Sequence, residues 1–425
     1  MFRITGLEIS NLGAFENLRL IFRDKPIGFE DKAEIHILTG ENGTGKSTLL
    51  EVLSSPIATW TNSLPEHFYR RFRRGNEAFI SVTNSADIFD KYLVTVSNTG
   101  AISIPRVSPS AFMYREKINN ANNPEFDIAF FAYAGYRKTT SFKLGPIQEL
   151  SHHPLTNAVD FEESVRPDVF QQYLANTKTK EAIEKSNGSI EKANRFAKSI
   201  SRIEEAVSSI VEMPIKFILN TEPLAIAIKM NGIECDFDLL PDGLKSIISW
   251  LGDLLMRLDR LKWENDTDVL DRNFILFLDE IEVHLHPAWQ RKILPEVQKL
   301  FKNAQIFVST HSPFVVNSVD GAWIYKFVKE GNNSKLAQEP FLSEDAKSYQ
   351  HVLQEVFDIH EDFGVDQEKK LKEFYSIRNT ILHGETYDKA RFSELLDELQ
   401  GQTRELDSIL GAELRQLRKL SVIDF

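Results

Sequence analysis

The run Gly40-Glu41-Asn42-Gly43-Thr44-Gly45-Lys46-Ser47 constrains this chain more than any other part of its sequence. It fits G-x-x-x-x-G-K-[ST], follows the short apolar stretch Glu34 to Leu38, and opens into a segment that reads as a helix from Lys46. Glycines at these spacings let successive backbone N–H groups turn inward around phosphates, and the helix behind them adds the positive end of its dipole. Lys46 is then the point charge for the β- and γ-phosphates, and Ser47 the hydroxyl offered to magnesium. Asn42, Gly43, Thr44, Gly45 and Thr48 complete the expected cradle, with ATP and Mg2+ as ligands. A chance glycine-rich turn would not bring the strand and the helix with it.

A strand that ends in such a loop belongs to a parallel sheet, and the sequence supplies its neighbours. Phe274 to Leu278 is an apolar strand that ends in Asp279-Glu280, and Gln305 to Ser309 is a second, followed by Thr310-His311-Ser312-Pro313. A helix starting near Pro287 separates them, which is the spacing of a parallel crossover. All three loops then leave one sheet edge. Asp279 is expected to hold magnesium together with Ser47, Glu280 to orient or deprotonate the attacking water, and His311 to touch the γ-phosphate.

The remainder organises around that sheet. Residues 2–10 and 17–23 read as two strands around an Asn-Leu-Gly turn, the further short runs at 79–82, 92–96 and 102–105 suggest an antiparallel layer, and Asp127 to Ala134 reads as a buried strand. Residues 167–212, rich in Ala, Lys, Glu and Ser, read as two helices hinged near Asn187-Gly188. Strands at 215–219 and 225–230 precede a helix over 244–262, and the chain beyond Ser343 reads as helical. The 425 residues suggest two to three domains at about 150 residues each. A net charge of −12 argues against a general polyanion-coating role. The single cysteine, Cys235, excludes an intramolecular disulfide and a multi-cysteine metal site, as suits a reducing cytoplasm. No basic and apolar leader stands at the start, and no apolar run reaches the roughly 18 residues that span a bilayer, so a cytoplasmic protein without a membrane partner is expected.

The order of phosphate loop, then Leu240-Pro241-Asp242-Gly243-Leu244-Lys245, then Leu278-Asp279-Glu280, then His311 resembles ABC-type ATPase heads, the middle segment being similar to their signature motif. The resemblance implies an α/β fold: a P-loop ABC-type ATPase head over 1–165 and 213–335 with an antiparallel β layer, an inserted helical arm over 166–212 and a C-terminal helical region over 336–425. It also implies a homodimer or higher homo-oligomer, in which Leu240, Asp242, Gly243 and Lys245 cap a nucleotide held by the opposite copy. Pro241 stands where those heads carry serine. That removes one hydroxyl and one N–H from the cap and implies slow or regulated turnover. No clear Q-loop glutamine follows the 127–134 strand: Gln148 is late, and Arg137 is the other residue placed there.

Asp279-Glu-Ile-Glu-Val-His-Leu-His-Pro-Ala-Trp-Gln290 resembles a run found in stand-alone bacterial ATPases related to the OLD, RecF and SMC heads. His284 and His286 lack a third ligand for zinc, and their spacing suits an interface loop better. The tail, Tyr349 to Phe357 and Tyr387 to Leu399, is similar to the PtuA family, the ATPases of Septu anti-phage systems and of some retrons. That family implies ATP-dependent control of a separate HNH-type nuclease subunit in prokaryotic antiviral defence and, in retron versions, assembly with a reverse transcriptase and its RNA–DNA product. Two rivals stand beside it. One is a RecF-type repair ATPase. The other is a HEPN-type ribonuclease with an ATPase sensor head, since Arg378 and His383 fit R-x4-H, although a helix capped near Gly384 accounts for that spacing without chemistry. Phe68-Tyr-Arg-Arg-Phe-Arg-Arg74 can bind phosphates and stack bases, or pair its arginines with the many acids.

Overall fold

A computed structural model describes residues 2–58, 77–85, 89–96, 102–103, 124–135, 144–344 and 346–419. They form two compact units, Met1–Phe357 and Asp358–Phe425. Arg137, the segment 68–74 and positions 104–105 of the expected 102–105 strand lie outside the described residues.

The first unit opens with an antiparallel pair, β1 (Ile4–Leu12) and β2 (Phe15–Ile21), which buries Leu7 and Ile9 with Leu18 and Leu20. β3 (Glu34–Gly40) runs into the phosphate loop and α1 (Lys46–Ala58) leaves it. β4 (Glu77–Asn84), β5 (Phe89–Val96) and β6 (Ile102–Ser103) extend the first pair into a sheet of order β2-β1-β4-β5-β6, the expected antiparallel layer.

The second sheet carries the loops of interest. β7 (Ala129–Tyr133), β11 (Phe274–Leu278), β12 (Ala304–Ser309) and β13 (Trp323–Glu330) join β3 in one parallel array, with β14 (Asn333–Leu336) and β15 (Phe341–Leu342) antiparallel on β13. The order is β14-β13-β3-β12-β11-β7. Residues of β7, β11 and β12 are buried throughout, as continuous apolar strands covered on both faces must be. The register sets Leu278 beside Tyr133 and Val308, and Ser309 beside Leu38, so the segments after β3, β11 and β12 leave at one edge.

Between β7 and β11 lie α2 (Pro167–Ser186), α3 (Ile190–Val211), a small antiparallel sheet of β8 (Ile215–Thr221), β9 (Leu224–Met230) and β10 (Ile233–Asp236), and α4 (Asp242–Arg260). α2 and α3 turn at Asn187-Gly188, as the sequence indicates. They are not an arm along their whole length. Val169, Phe170, Tyr173 and Leu174 on α2, with Ile200, Ile203, Val207 and Ile210 on α3, are buried in the main core, and only the outer end exposes Ile183 and Ile190. The α3 positions follow helical spacing, so one face of the hairpin root is core by construction.

α5 (Pro287–Leu300), α6 (Pro313–Val316) and α7 (Tyr349–Phe357) complete this unit. The separate helical unit begins at 358 and not at 336, because Leu336 and Phe341–Leu342 still pair with β13 and Val352 and Val356 of α7 enter the main core. The second unit packs α8 (Val365–Leu382), α9 (Lys389–Leu399) and α10 (Arg404–Lys419) around Leu371, Phe374, Phe392, Leu406 and Leu410, with the rings of Phe374 and Phe392 stacked 5.5 Å apart. No helix among the described residues is long and apolar enough to cross a membrane.

Candidate functional site

The phosphate loop leaves β3 where that strand packs against β13. Gly40 has φ +137°, and a Cβ there would lie 2.1 Å from the Phe327 carbonyl oxygen of β13, so no other residue fits. Thr44 is buried and its hydroxyl donates to the Glu41 carbonyl at 2.8 Å, closing the loop on itself. The Lys46 ammonium lies inside, donating to the carbonyls of Gly40 (3.0 Å) and Glu41 (2.9 Å). Burial lowers its pKa to about 8, and the carboxylates of Asp279, Glu280 and Glu282 oppose that fall.

Across the loop stands the end of β11. Ser47 Oγ donates to Asp279 Oδ1 at 3.0 Å, so the two residues expected to hold magnesium meet although 232 positions separate them. Ser309, the last residue of β12, donates its hydroxyl to the same Asp279 oxygen and accepts the Glu280 N–H at 3.1 Å. Glu280 has φ +46°, an uncommon backbone for a side chain of its size and one often met at functional sites. Its pKa is raised by burial and by Asp279, against the pull of Lys46. The His311 imidazole is lowered by burial and by Lys46, which keeps it neutral near pH 7. Asn42, Gly43, Gly45, Lys46, Ser47 and Thr48 line a cleft of about 410 Å3 together with Glu280, His311, Ser309 and Ala14.

Sequence reasoning did not assign roles to the residues that hold His311 in place. The His311 N–H donates to Glu282 Oε1 at 2.6 Å, and Glu282 is raised in pKa by its burial. Ser312 Oγ donates to Gln290 Oε1 at 2.6 Å and accepts from the N–H groups of Phe314 and Val315, capping α6. Gln290 in turn donates to the Leu285 carbonyl at 2.9 Å. The Asp279-to-Gln290 run is therefore a platform onto which the 310–312 loop is tied. His286 belongs to its frame: Nδ1 accepts from Ala288 N–H and caps α5, which leaves no zinc reading for that nitrogen.

The signature-like residues lie elsewhere. None of Leu240, Asp242, Gly243 and Lys245 lines the cleft of its own chain. Leu240 is a buried anchor, Asp242 is exposed at the start of α4, and Lys245 Nζ lies 3.8 Å from Asp242. Gly243 is packed so that a Cβ would fall 2.6 Å from the His284 carbonyl oxygen and 3.2 Å from the Trp289 ring. The exposed Gln148 does not line the cleft either. In the second unit Arg378 pairs with Glu413 at 2.6 Å and donates to Gln416, while His383 caps α8 with Nδ1 2.7 Å from the Asn379 carbonyl. The cap at His383 is the one the sequence indicates near Gly384, and Arg378 is held by residues of α10.

Known proteins resemble this chain over different spans. It is 37% identical to the Retron Ec83 probable ATPase of Escherichia coli over 117 residues, 28% of this chain but only 21% of that protein's length. It is 23% identical to the Septu protein PtuA of Bacillus thuringiensis over 329 residues, covering 75% of this chain and 74% of that one. An SMC head solved in complex with the C-winged helix domain of ScpA aligns with 81% of this chain and 99% of its own at 14% identity, with a TM-score of 0.48. A family profile spans most of the site, from β3 to just beyond α6. Through that match, over residues 35–317, the chain belongs to the family described as "AAA domain, putative AbiEii toxin, Type IV TA system".

Proposed function

We propose that this chain binds MgATP in the cleft between the phosphate loop and Asp279, Glu280 and His311, hydrolyses it slowly, and uses the cycle to control a separate HNH-type nuclease subunit in prokaryotic antiviral defence. The observation that carries the nucleotide reading is the 3.0 Å pairing of Ser47 with Asp279 at a cleft that also holds Lys46, Glu280 and His311. The defence reading rests on the names of its relatives, a Septu PtuA and a retron ATPase.

Each side chain has a task. Lys46 holds the β- and γ-phosphates. A hydroxyl and a carboxylate oxygen at the loop mouth are the hard donors a small divalent cation takes, so Ser47 and Asp279 would hold Mg2+, which when bound neutralises phosphate charge. Ser309 fixes the Asp279 carboxylate. Glu280, made more basic by burial and by Asp279, accepts the proton of the attacking water, and neutral His311 donates to the terminal phosphoryl oxygen. Leu240, Asp242, Gly243 and Lys245 act in the second copy of a homodimer, where the N-terminus of α4 meets the γ-phosphate across the interface. In a retron setting the assembly would include a reverse transcriptase and its RNA–DNA product.

Lys46→Ala tests this at its base. The variant is expected to lose measurable ATP binding and turnover, because the terminal phosphates lose their fixed cation in a site where charge complementarity dominates. Wild-type affinity in calorimetry of the folded variant would remove the nucleotide reading.

A further inference from the structure

One cation beside the phosphate loop has no part in this scheme. Lys329 lies near the end of β13, and its ammonium occupies the space next to Gly43: a Cβ at position 43 would lie 2.8 Å from Lys329 Nζ and 3.4 Å from Cε. Gly43 has φ +76°, so glycine here serves the turn and also leaves room for the ammonium. The Lys329 side chain makes no hydrogen bond or ion pair among the described residues. The neighbouring acid, Glu330, is matched by Lys335 at 2.7 Å, so the hairpin leaves Lys329 as an uncompensated charge at a loop shaped for phosphates.

The position of Lys329 is set by the fold. Phe327 pairs in register with Gly40, and strand alternation puts Lys329 on the face of β13 that carries Phe327. Phe327 is fully buried with its ring edge-on to Phe15, 6.1 Å between centroids. The β13–β14 hairpin is pinned to the β1–β2 turn by Ser334 N–H to the Ala14 carbonyl (2.8 Å) and by Glu16 N–H to Asn333 Oδ1 (2.9 Å). Ala14 itself lines the nucleotide cleft.

Strand order then says which part of a nucleotide Lys329 can reach. In the sequence β13-β3-β12-β11 the phosphate loop follows β3, with β12 and β11, which deliver His311 and Asp279-Glu280, on one flank and β13 on the other. Bond cleavage belongs to the first flank. We propose that Lys329 is a second nucleotide-binding cation, holding the phosphate chain from the side away from the scissile bond, at phosphates that ATP and ADP share. The inference rests on the nucleotide reading above.

The test is the affinity of the full chain for MgATP and MgADP in wild type, Lys329→Ala, Lys329→Arg and Lys46→Ala. Lys329→Ala is expected to weaken both nucleotides by about tenfold, the worth of one charge-assisted hydrogen bond, with kcat unchanged and a shallower salt dependence of binding. Lys329→Arg, which keeps the charge, should restore most of the loss. Unchanged affinity for both nucleotides in Lys329→Ala would make Lys329 a solvated lysine and overturn the inference. Loss for ATP alone, with a fall in kcat, would place it at the terminal phosphate and overturn the assignment of its flank. If wild type and Lys46→Ala bind alike, or neither binds, the nucleotide reading itself fails; if Lys46→Ala abolishes binding and Lys329→Ala is silent, only this inference does.

Discussion

Gln290 shows what a single amide contributes to this site. Its carbonyl accepts from Ser312 at 2.6 Å and its amino group donates to Leu285 O at 2.9 Å, so it joins the loop after Asp279-Glu280 to the loop that carries His311. It does not line the cleft, so its effect on chemistry passes through position alone. Gln290→Leu keeps the volume but removes these hydrogen bonds and a longer one from the same amide to the Glu282 carbonyl at 3.5 Å. The expected outcome is a fall in kcat by about tenfold or more, because displacements of about 1 Å at a reacting centre are enough for that, with ATP affinity changed by less than about twofold. Steady-state turnover beside equilibrium binding checks it, and an unchanged kcat would show that the tie does not position His311. The phosphate loop, Asp279 and Glu280 were legible in the sequence because each is a local pattern at a strand end. Ser309, Glu282 and Gln290 act through partners 22 to 30 positions away, and such pairings exist only once the sheet has formed.

At the scale of elements, the two sheets meet through a buried polar knot. Ile4 of β1 and Gln305 of β12 exchange hydrogen bonds of 2.8 Å, and Gln305 also donates to Glu34 Oε1 of β3. Glu34 is paired with Arg3 and lies 2.6 Å from His36. Burial would raise the Glu34 pKa, but the hydrogen bond with His36, the charge of Arg3 and the amide of Gln305 outweigh it and hold the carboxyl below its ordinary 4.5. A carboxyl depressed in the folded state stabilises fully above its unfolded pKa, and that contribution is lost as pH falls through the folded value. The melting temperature of wild type should therefore drop more steeply than that of Glu34→Gln below about pH 4.5, and the two curves should run parallel above about pH 5.5. Parallel curves throughout would mean that the Glu34 charge does not support the junction. β13 belongs to the same scale and was not legible. Trp-Ile-Tyr-Lys-Phe-Val-Lys-Glu reads as half solvated, yet Lys326 is buried with its ammonium donating to the Glu355 carbonyl at 3.1 Å. A lysine that donates to a helix carbonyl 29 positions away makes a buried parallel strand look like an edge. The root of the α2–α3 hairpin was missed for a related reason: α2 buries Gln171, Gln172, Asn176 and Thr177 with its apolar residues, and the polar letters suggested solvent.

For the whole molecule, the decisive question is whether two heads close on ATP. Each chain carries a formal charge of −12, so two copies repel, and closure needs an attraction that exists only with nucleotide present. In the proposed dimer, a γ-phosphate held by one copy and capped by the α4 N-terminus of the other would supply it, and hydrolysis would release it. Glu280→Gln keeps the shape of the carboxyl but cannot accept the water's proton, so it should bind MgATP normally, slow turnover by about 100-fold or more, and accumulate as a dimer on ATP. A substitution at Gly243 would be a poor probe of the cap, because a side chain there strikes the His284 carbonyl within its own chain. Lys245 is the better position. It lies in the first turn of α4 with 14% of its side chain exposed and its ammonium 3.8 Å from the exposed Asp242, so in the proposed dimer reversing its charge would set a carboxylate towards the opposing phosphate without a backbone clash. Glu280→Gln with Lys245→Glu should bind ATP as the single variant does yet remain monomeric in light scattering, while a melting temperature within a few degrees of the single variant excludes simple unfolding. If the double variant dimerises on ATP as readily as Glu280→Gln alone, Lys245 does not face the partner's nucleotide, and the two-ATP sandwich gives way to some other mode of assembly.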